Sequence, residues 1–260
     1  MTPPFLDLPQ RSAKPRACGI THVLDSGLSV AEVESLVEVA GAAVDLVKLG
    51  WGTAVVTENL DAKLACYRAH DIPVVLGGTL TELAIAQGRV DQLVAWLREL
   101  GLTHVEISDG TIALAHERKL ALIERLTGEG FTVLSEVGSK DAAFIMAPYV
   151  WVEQIQAELA AGAWKVIAEA RETGTAGIYR ADGEVRMGLI DEIVHAVPVE
   201  RLLFKAPQKE QQVWFLRRFD SEVNLGNIAP RDVLSLETLR LGLRGDTLKE
   251  VLLGNDPAAV

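Results

Sequence analysis

Eight short β-branched or leucine-rich runs, alternating with longer amphipathic stretches, leave this chain few folds to choose from. The runs are Ile20–Leu24, Leu46–Leu49, Val74–Leu76, His104–Ile107, Thr132–Leu134, Lys165–Ala168, Leu202–Phe204 and Val223–Leu225. They recur on average every roughly 29 residues, close to one βα unit each. Several are apolar on both faces, as strands covered on both sides must be. The stretches between them carry helix punctuation. Ser29-Val30-Ala31-Glu32 reads as a capping box, followed by Val33, Leu36, Val37 and Ala40 on one face. Segments 88–100 and 115–127 repeat apolar residues at helical spacing. Trp151, Ile155 and Leu159 do the same, with Gly162 placed as a stop. Pro230 stands where a first-turn proline belongs, ahead of Val233, Leu236 and Leu239.

Eight βα units in 260 residues predict an α/β fold, a single-domain (β/α)8 TIM barrel. The competing fold, a doubly wound open sheet, usually shows a glycine-rich fingerprint after its first strand, and Leu24-Asp25-Ser26-Gly27 is not one. Residues 1–16 read as a proline-rich N-terminal extension without the apolar centre of a signal peptide, and 17–260 as the barrel. Thr173–Arg186 reads as a long loop after the sixth run. With 25 Lys and Arg against 36 Asp and Glu, the net charge of −11 argues against a nucleic-acid partner. No apolar stretch reaches the roughly 18 residues of a membrane span, so a cytoplasmic protein without a membrane partner is expected.

In a barrel, chemistry sits at the carboxyl ends of the strands, and here those ends are where charge collects. Asp25 ends the first run, and Lys48 sits in the second, ahead of Gly50-Trp51-Gly52. Gly77-Gly78-Thr79 follows the third; the fourth and fifth carry Glu106 and Glu136, with Lys140 just beyond. Glu169 and Arg171 follow the sixth run and Lys205 the seventh, while Asn224, Gly226 and Asn227 mark the eighth. Three carboxylates (Glu106, Glu136, Glu169) against Lys48, Lys140, Arg171 and Lys205 suit a divalent metal, Mg²⁺ in particular, together with an anionic substrate. Ion pairing within the rim is the alternative reading of each charge. Asp25 equally suits a turn cap, Gly77-Gly78 a tight turn or an anion cradle, and Trp51 a pocket wall or packing under a loop. The histidines are isolated with no zinc spacing, and Cys18 and Cys66 have no positioned histidine.

With those residues in place, the chain resembles the phosphosulfolactate synthase family along nearly its whole length. The resemblance rests on Leu46-Val47-Lys48-Leu49-Gly50-Trp51-Gly52-Thr53, Gly77-Gly78-Thr79-Leu80, Val105-Glu106-Ile107-Ser108-Asp109-Gly110 and Ser135-Glu136-Val137-Gly138. It continues through Glu169-Ala170-Arg171-Glu172, Ala206-Pro207-Gln208-Lys209, Val223-Asn224-Leu225-Gly226-Asn227-Ile228 and 239–247. It implies a Mg²⁺-dependent barrel, a carbon–sulfur lyase, that adds sulfite to phosphoenolpyruvate on the way to coenzyme M or sulfolactate. It further implies a homo-oligomer, a trimer or larger, with Lys140 as proton donor, beside which the strand-end residues Lys48, Arg171 and Lys205 are the cationic catalytic candidates. The substrate phosphate is expected near the last two strand loops, at Asn224, Gly226, Asn227 and the Arg244-Gly245 turn, with Gly78 and Thr79 completing the substrate contacts. Lys205 stands where the family carries Glu before Ala-Pro, Ser26 where it carries Lys, and Ala54 where it carries Ser. Those departures keep two alternatives in view: a different nucleophile or a related enol phosphate, and a non-catalytic, stress-protective homologue.

Overall fold

The computed structural model describes residues 5–139 and 146–249. Strands and helices alternate as β1 (Thr21–Asp25), α1 (Val30–Ala40), β2 (Leu46–Leu49), α2 (Thr53–Val56), α3 (Leu60–Ala69), β3 (Val74–Leu76), α4 (Gly78–Ala86), α5 (Val90–Glu99) and β4 (His104–Ile107). The second half continues as α6 (His116–Gly128), β5 (Thr132–Val137), α7 (Pro148–Ala160), β6 (Lys165–Ala168), α8 (Met187–Ala196), β7 (Leu202–Lys205), α9 (Lys209–Phe219), β8 (Leu225–Ile228) and α10 (Val233–Arg240). All ladders are parallel, in the order β3-β2-β1-β8-β7-β6-β5-β4. The two terminal strands, β3 and β4, lie side by side, so the barrel nearly closes and the (β/α)8 expectation holds.

Local chemistry accounts for the elements. Ser29 caps α1, and its backbone N–H donates to Glu32 Oε2 at 2.8 Å, which completes the capping box. Pro148 opens α7, and Pro230 opens a short 3₁₀ turn that leads into α10. Trp151 and Ile155 lie on the buried face of α7 as their spacing required, but the third buried residue is Glu158, and Leu159 is only partly buried. The eighth strand differs from expectation: it runs Leu225–Ile228 instead of 223–225. The reason is Asn224, whose side chain is drawn into the amino end of the barrel. Its Oδ1 accepts from Ile20 N–H at 3.1 Å, and its Nδ2 donates to the Leu202 carbonyl at 2.8 Å. The fifth strand likewise runs on to Val137, because Ser135 and Glu136 remain in the ladder with β6.

The period-two alternation of strands divides the chain between two cores. Val47, Val133, Val166 and Phe204 face outward and pack with the helices. Leu46, Val75, Leu134, Ile167 and Leu203 face inward and fill the middle of the barrel. Two residues beyond Leu46, Leu134, Ile167 and Leu203 come Lys48, Glu136, Glu169 and Lys205. The same alternation that buries the leucines therefore lifts four charges to the carboxyl end. The segment before β1 covers the opposite end. Arg16 pairs with Asp45 at 2.7 Å, Arg11 pairs with Glu237 at 3.1 Å and with Glu222, and Lys165 Nζ donates to the Ala17 carbonyl at 2.8 Å. The fully buried Arg240 donates to the Val223 carbonyl at 2.8 Å and the Ile20 carbonyl at 3.2 Å. No described helix is long and apolar enough to cross a membrane.

Candidate active site

A cavity of about 360 Å³ opens at the carboxyl ends of the strands. Of the residues singled out in the sequence, Lys48, Gly78, Thr79, Glu106, Glu136, Glu169, Arg171, Lys205 and Asn227 all line it. Their charges are mutually arranged. Lys48 Nζ donates to both oxygens of Glu106, at 2.9 and 3.1 Å. The Gly78 N–H donates to Glu106 Oε1 at 2.7 Å. Only glycine permits that approach: a Cβ on Gly78 would lie 2.3 Å from Ser108 Oγ and 2.9 Å from Glu106 Oε1. Across the cavity, Lys205 Nζ lies 2.9 and 3.0 Å from the two oxygens of Glu169 and 2.5 Å from Glu136 Oε2. Burial alone would lower the pKa of Lys205. Glu136, Glu169 and the more distant Glu106 outweigh that and raise it, so the amine is held as an ammonium.

A second layer of side chains fixes this ring. Glu82, on α4, accepts from Ser108 Oγ at 2.5 Å and from the Thr111 and Ile112 N–H groups at 2.7 and 3.0 Å, so it shapes the loop after β4. Lys119, on α6, donates to the Glu136 carbonyl at 2.6 Å and pairs with Glu158 and Asp109 at 2.8 and 2.9 Å. The signal for Glu82 is present in the sequence as a lone carboxylate on an otherwise uncharged helix. Lys119 and Glu158 gave none, because lysines and glutamates on helices are ordinarily solvated. Beneath the ring, His22 is fully buried, and neither ring nitrogen has a hydrogen-bond partner among the described residues. Burial, then the charges of Lys48 and Lys205, hold its pKa well below 6.5. On the lip, Trp51 is 54% exposed with φ 51°, a left-handed backbone that a bulky residue rarely adopts. It is thus a cavity wall rather than loop packing. Asn227, also at positive φ (56°), presents a buried Oδ1 that has no hydrogen-bond partner among the described residues.

Other expected site residues lie elsewhere. Asp25 caps the turn after β1, accepting from Gly27 and Leu28 N–H at 2.9 and 2.8 Å. Asn224 is engaged at the amino end of the barrel. Gly226 lies inside the barrel, where a Cβ would be 2.3 Å from Leu203 Cδ2. Arg244 turns to the outside, donating to Ser235 Oγ at 2.6 Å, and Gly245 is exposed. Of the expected phosphate contacts near the last strands, only Asn227 reaches the cavity. Lys140 lies outside the described residues. The expected Mg²⁺ set of Glu106, Glu136 and Glu169 does not fit the geometry either. Among the described residues, no group of three or more acidic, histidine or cysteine side chains is gathered to hold a metal ion. The physical reason is that ammonium groups already stand against all three carboxylates.

A nearly closed (β/α)8 barrel with a charged cavity at the carboxyl ends of its strands defines the architectural class. Solved structures agree on the fold. An aldolase from Escherichia coli K12 superposes with TM-score 0.56 at 13% identity, covering 94% of each chain. The 3-hexulose-6-phosphate synthase of Salmonella typhimurium superposes with TM-score 0.54 at 13% identity, covering 91% of this chain and all of that one. Sequence is more specific. The family model described as (2R)-phospho-3-sulfolactate synthase (ComA) matches residues 9–246. The phosphosulfolactate synthase of Methanothermobacter thermautotrophicus is 42% identical over 250 residues, covering 94% of this chain and 97% of its own. That of Bacillus subtilis strain 168 is 41% identical over 245 residues, covering 93% and 97%. The chain belongs to the phosphosulfolactate synthase family.

Proposed function

We propose that the protein adds sulfite to phosphoenolpyruvate to form phosphosulfolactate, a carbon–sulfur lyase reaction run in the direction of synthesis. The sulfur lone pair of sulfite attacks the methylene carbon of the enol phosphate. A carbon–sulfur bond forms, and the alkene electron pair moves toward C2 and the carboxylate, which gains negative charge. Cationic side chains fixed beforehand around that carboxylate stabilise the charge, because they need not reorganise as it develops. Lys48, Arg171 and Lys205 take that part. Gly78 and Thr79 open α4 on the cavity wall, where a helix amino end favours a substrate anion. Lys140 then delivers a proton to C2 as general acid, leaving the phosphate ester intact. The Mg²⁺ implied by the family resemblance has no fitting set among the described residues.

The observation that carries this reading is the convergence of three cations on one barrel-mouth cavity, in a chain 42% identical to a phosphosulfolactate synthase. The test is incubation with phosphoenolpyruvate and sulfite, with and without Mg²⁺, followed by phosphorus NMR and mass spectrometry. A sulfonated phosphate ester is expected; folded protein yielding none rejects the reading. Lys205, set between two carboxylates, favours a second reading in which another nucleophile replaces sulfite. Phosphite and simple thiols in the same assay separate the two. We further propose, from the resemblance alone, a cytoplasmic homo-oligomer of three or more subunits supplying sulfolactate or coenzyme M synthesis, and light scattering reads its mass.

A further inference from the structure

We propose that the Lys205 ammonium occupies the place of a divalent metal ion in this cavity, as a covalently tethered cation that lets the protein hold its substrate without a resident metal. Glu136 and Glu169 rise from adjacent strands, β5 and β6, and both are buried. Two carboxylates so placed repel each other unless one takes up a proton or a cation stands between them, and such a cation is either a bound metal or a side chain. Here it is Lys205, at 2.5 Å from Glu136 and 2.9 Å from Glu169, with only 4% of its surface exposed. Glu106, the third carboxylate, is in turn taken up by Lys48 and the Gly78 N–H.

Charge and geometry both oppose a metal in addition to the lysine. The two ammonium groups leave only a single negative charge uncompensated on the three carboxylates. A doubly charged ion among them would lie against two ammonium groups and would find carboxylate oxygens already engaged. To reach Glu136 and Glu169 it would have to displace Lys205, whose backbone is itself fixed: the buried Tyr179 hydroxyl donates to the Lys205 carbonyl. A tethered ammonium also delivers its charge without recruiting an ion from solution, so the site is complete on folding. It lines the cavity, where a substrate carboxylate meets it.

The identity of that substrate rests on the reading proposed above; the metal question does not, and the experiment keeps them apart. Mn²⁺ is titrated into the full-length wild-type protein without substrate and followed by electron paramagnetic resonance. No uptake is expected at this site up to about 1 mM, in the range of weak divalent sites. Lys205→Ala leaves the carboxylate pair open, so it is expected to take up Mn²⁺ and to melt at a higher temperature when Mn²⁺ is present. Lys205→Arg keeps the charge and is expected to do neither. Should Lys205→Ala not fold alone, refolding it with Mn²⁺ reads the same gain, and the wild-type titration needs no variant. Calorimetry of phosphoenolpyruvate binding is expected to be unchanged, within about twofold, by a chelator. Wild-type Mn²⁺ uptake that Glu136→Gln or Glu169→Gln abolishes would overturn the proposal, as would phosphoenolpyruvate binding that the chelator removes. Failure of phosphoenolpyruvate to bind at all would count against the substrate, leaving the Mn²⁺ titrations to decide the role of Lys205.

Discussion

His22 and Gly226 show how closely single residues are fitted beneath the charged ring. Because the folded pKa of His22 lies well below 6.5, the folded chain refuses a proton that the unfolded chain accepts. The sign follows directly: stability is fully present above about pH 6.5 and is lost as pH falls from there toward the folded pKa, with a slope of up to about 1.4 kcal/mol per pH unit. Urea denaturation of wild type and His22→Gln at several pH values should show that slope in the first and its loss in the second. Parallel slopes would mean that the imidazole is not buried in the neutral form. Gly226 presses from the side, since a Cβ there would meet Leu203 at 2.3 Å and His22 Nδ1 at 2.9 Å. Gly226→Ala should therefore cost about 1–3 kcal/mol by overpacking, measured as a lowered denaturation midpoint with an unchanged m-value.

Between elements, buried charge does work that apolar periodicity does not reveal. Helix α3 docks on the end of β1 through Asp25, whose Oδ2 lies 2.7 Å from Lys63 Nζ and accepts from the Tyr67 hydroxyl at 2.9 Å. The buried face of α3 is thus Lys63, Leu64 and Tyr67, a pattern that an apolar-spacing search passes over. By contrast, α5 buries Leu93, Val94 and Leu97, and its place was plain in the sequence. The strands were legible for the same reason as α5, except where a polar side chain was drawn out of the expected pattern, as Asn224 was. Asp25→Ala would strand the Lys63 ammonium, and a loss of about 3–5 kcal/mol is expected in chemical denaturation. Adding Lys63→Met should recover part of it. A double variant no more stable than the single one would show that the ion pair is not what joins helix to strand.

The molecule as a whole separates its two ends: the carboxyl end holds the cavity, and the amino end is sealed by the segment before β1 together with Arg240. Removing residues 1–16 takes away the Arg11 and Arg16 ion pairs with Glu237 and Asp45. Thermal unfolding should shift to lower temperature, while turnover per folded molecule stays near wild type because nothing in the cavity is touched. Loss of turnover at temperatures where the shortened chain is still folded would contradict this separation. The same polarity explains what the sequence made visible of the site. Strand ends and inward alternation placed Lys48, Glu106, Glu136, Glu169 and Lys205 together, because position along a strand is a local property. Which cation meets which carboxylate is decided by strands far apart in the chain, so the pairing of Lys48 with Glu106 and of Lys205 with Glu136 and Glu169 could not be read from spacing. Arg244 was out of reach for a related reason, since the chain after α10 folds back against the outer face at Ser235. Finally, the half-exposed indole of Trp51 on the cavity lip gives the protein an optical reporter. Desolvation of that ring by an arriving anion would shift its emission, and the difference against Trp51→Phe would follow occupancy in real time, without any chemical step.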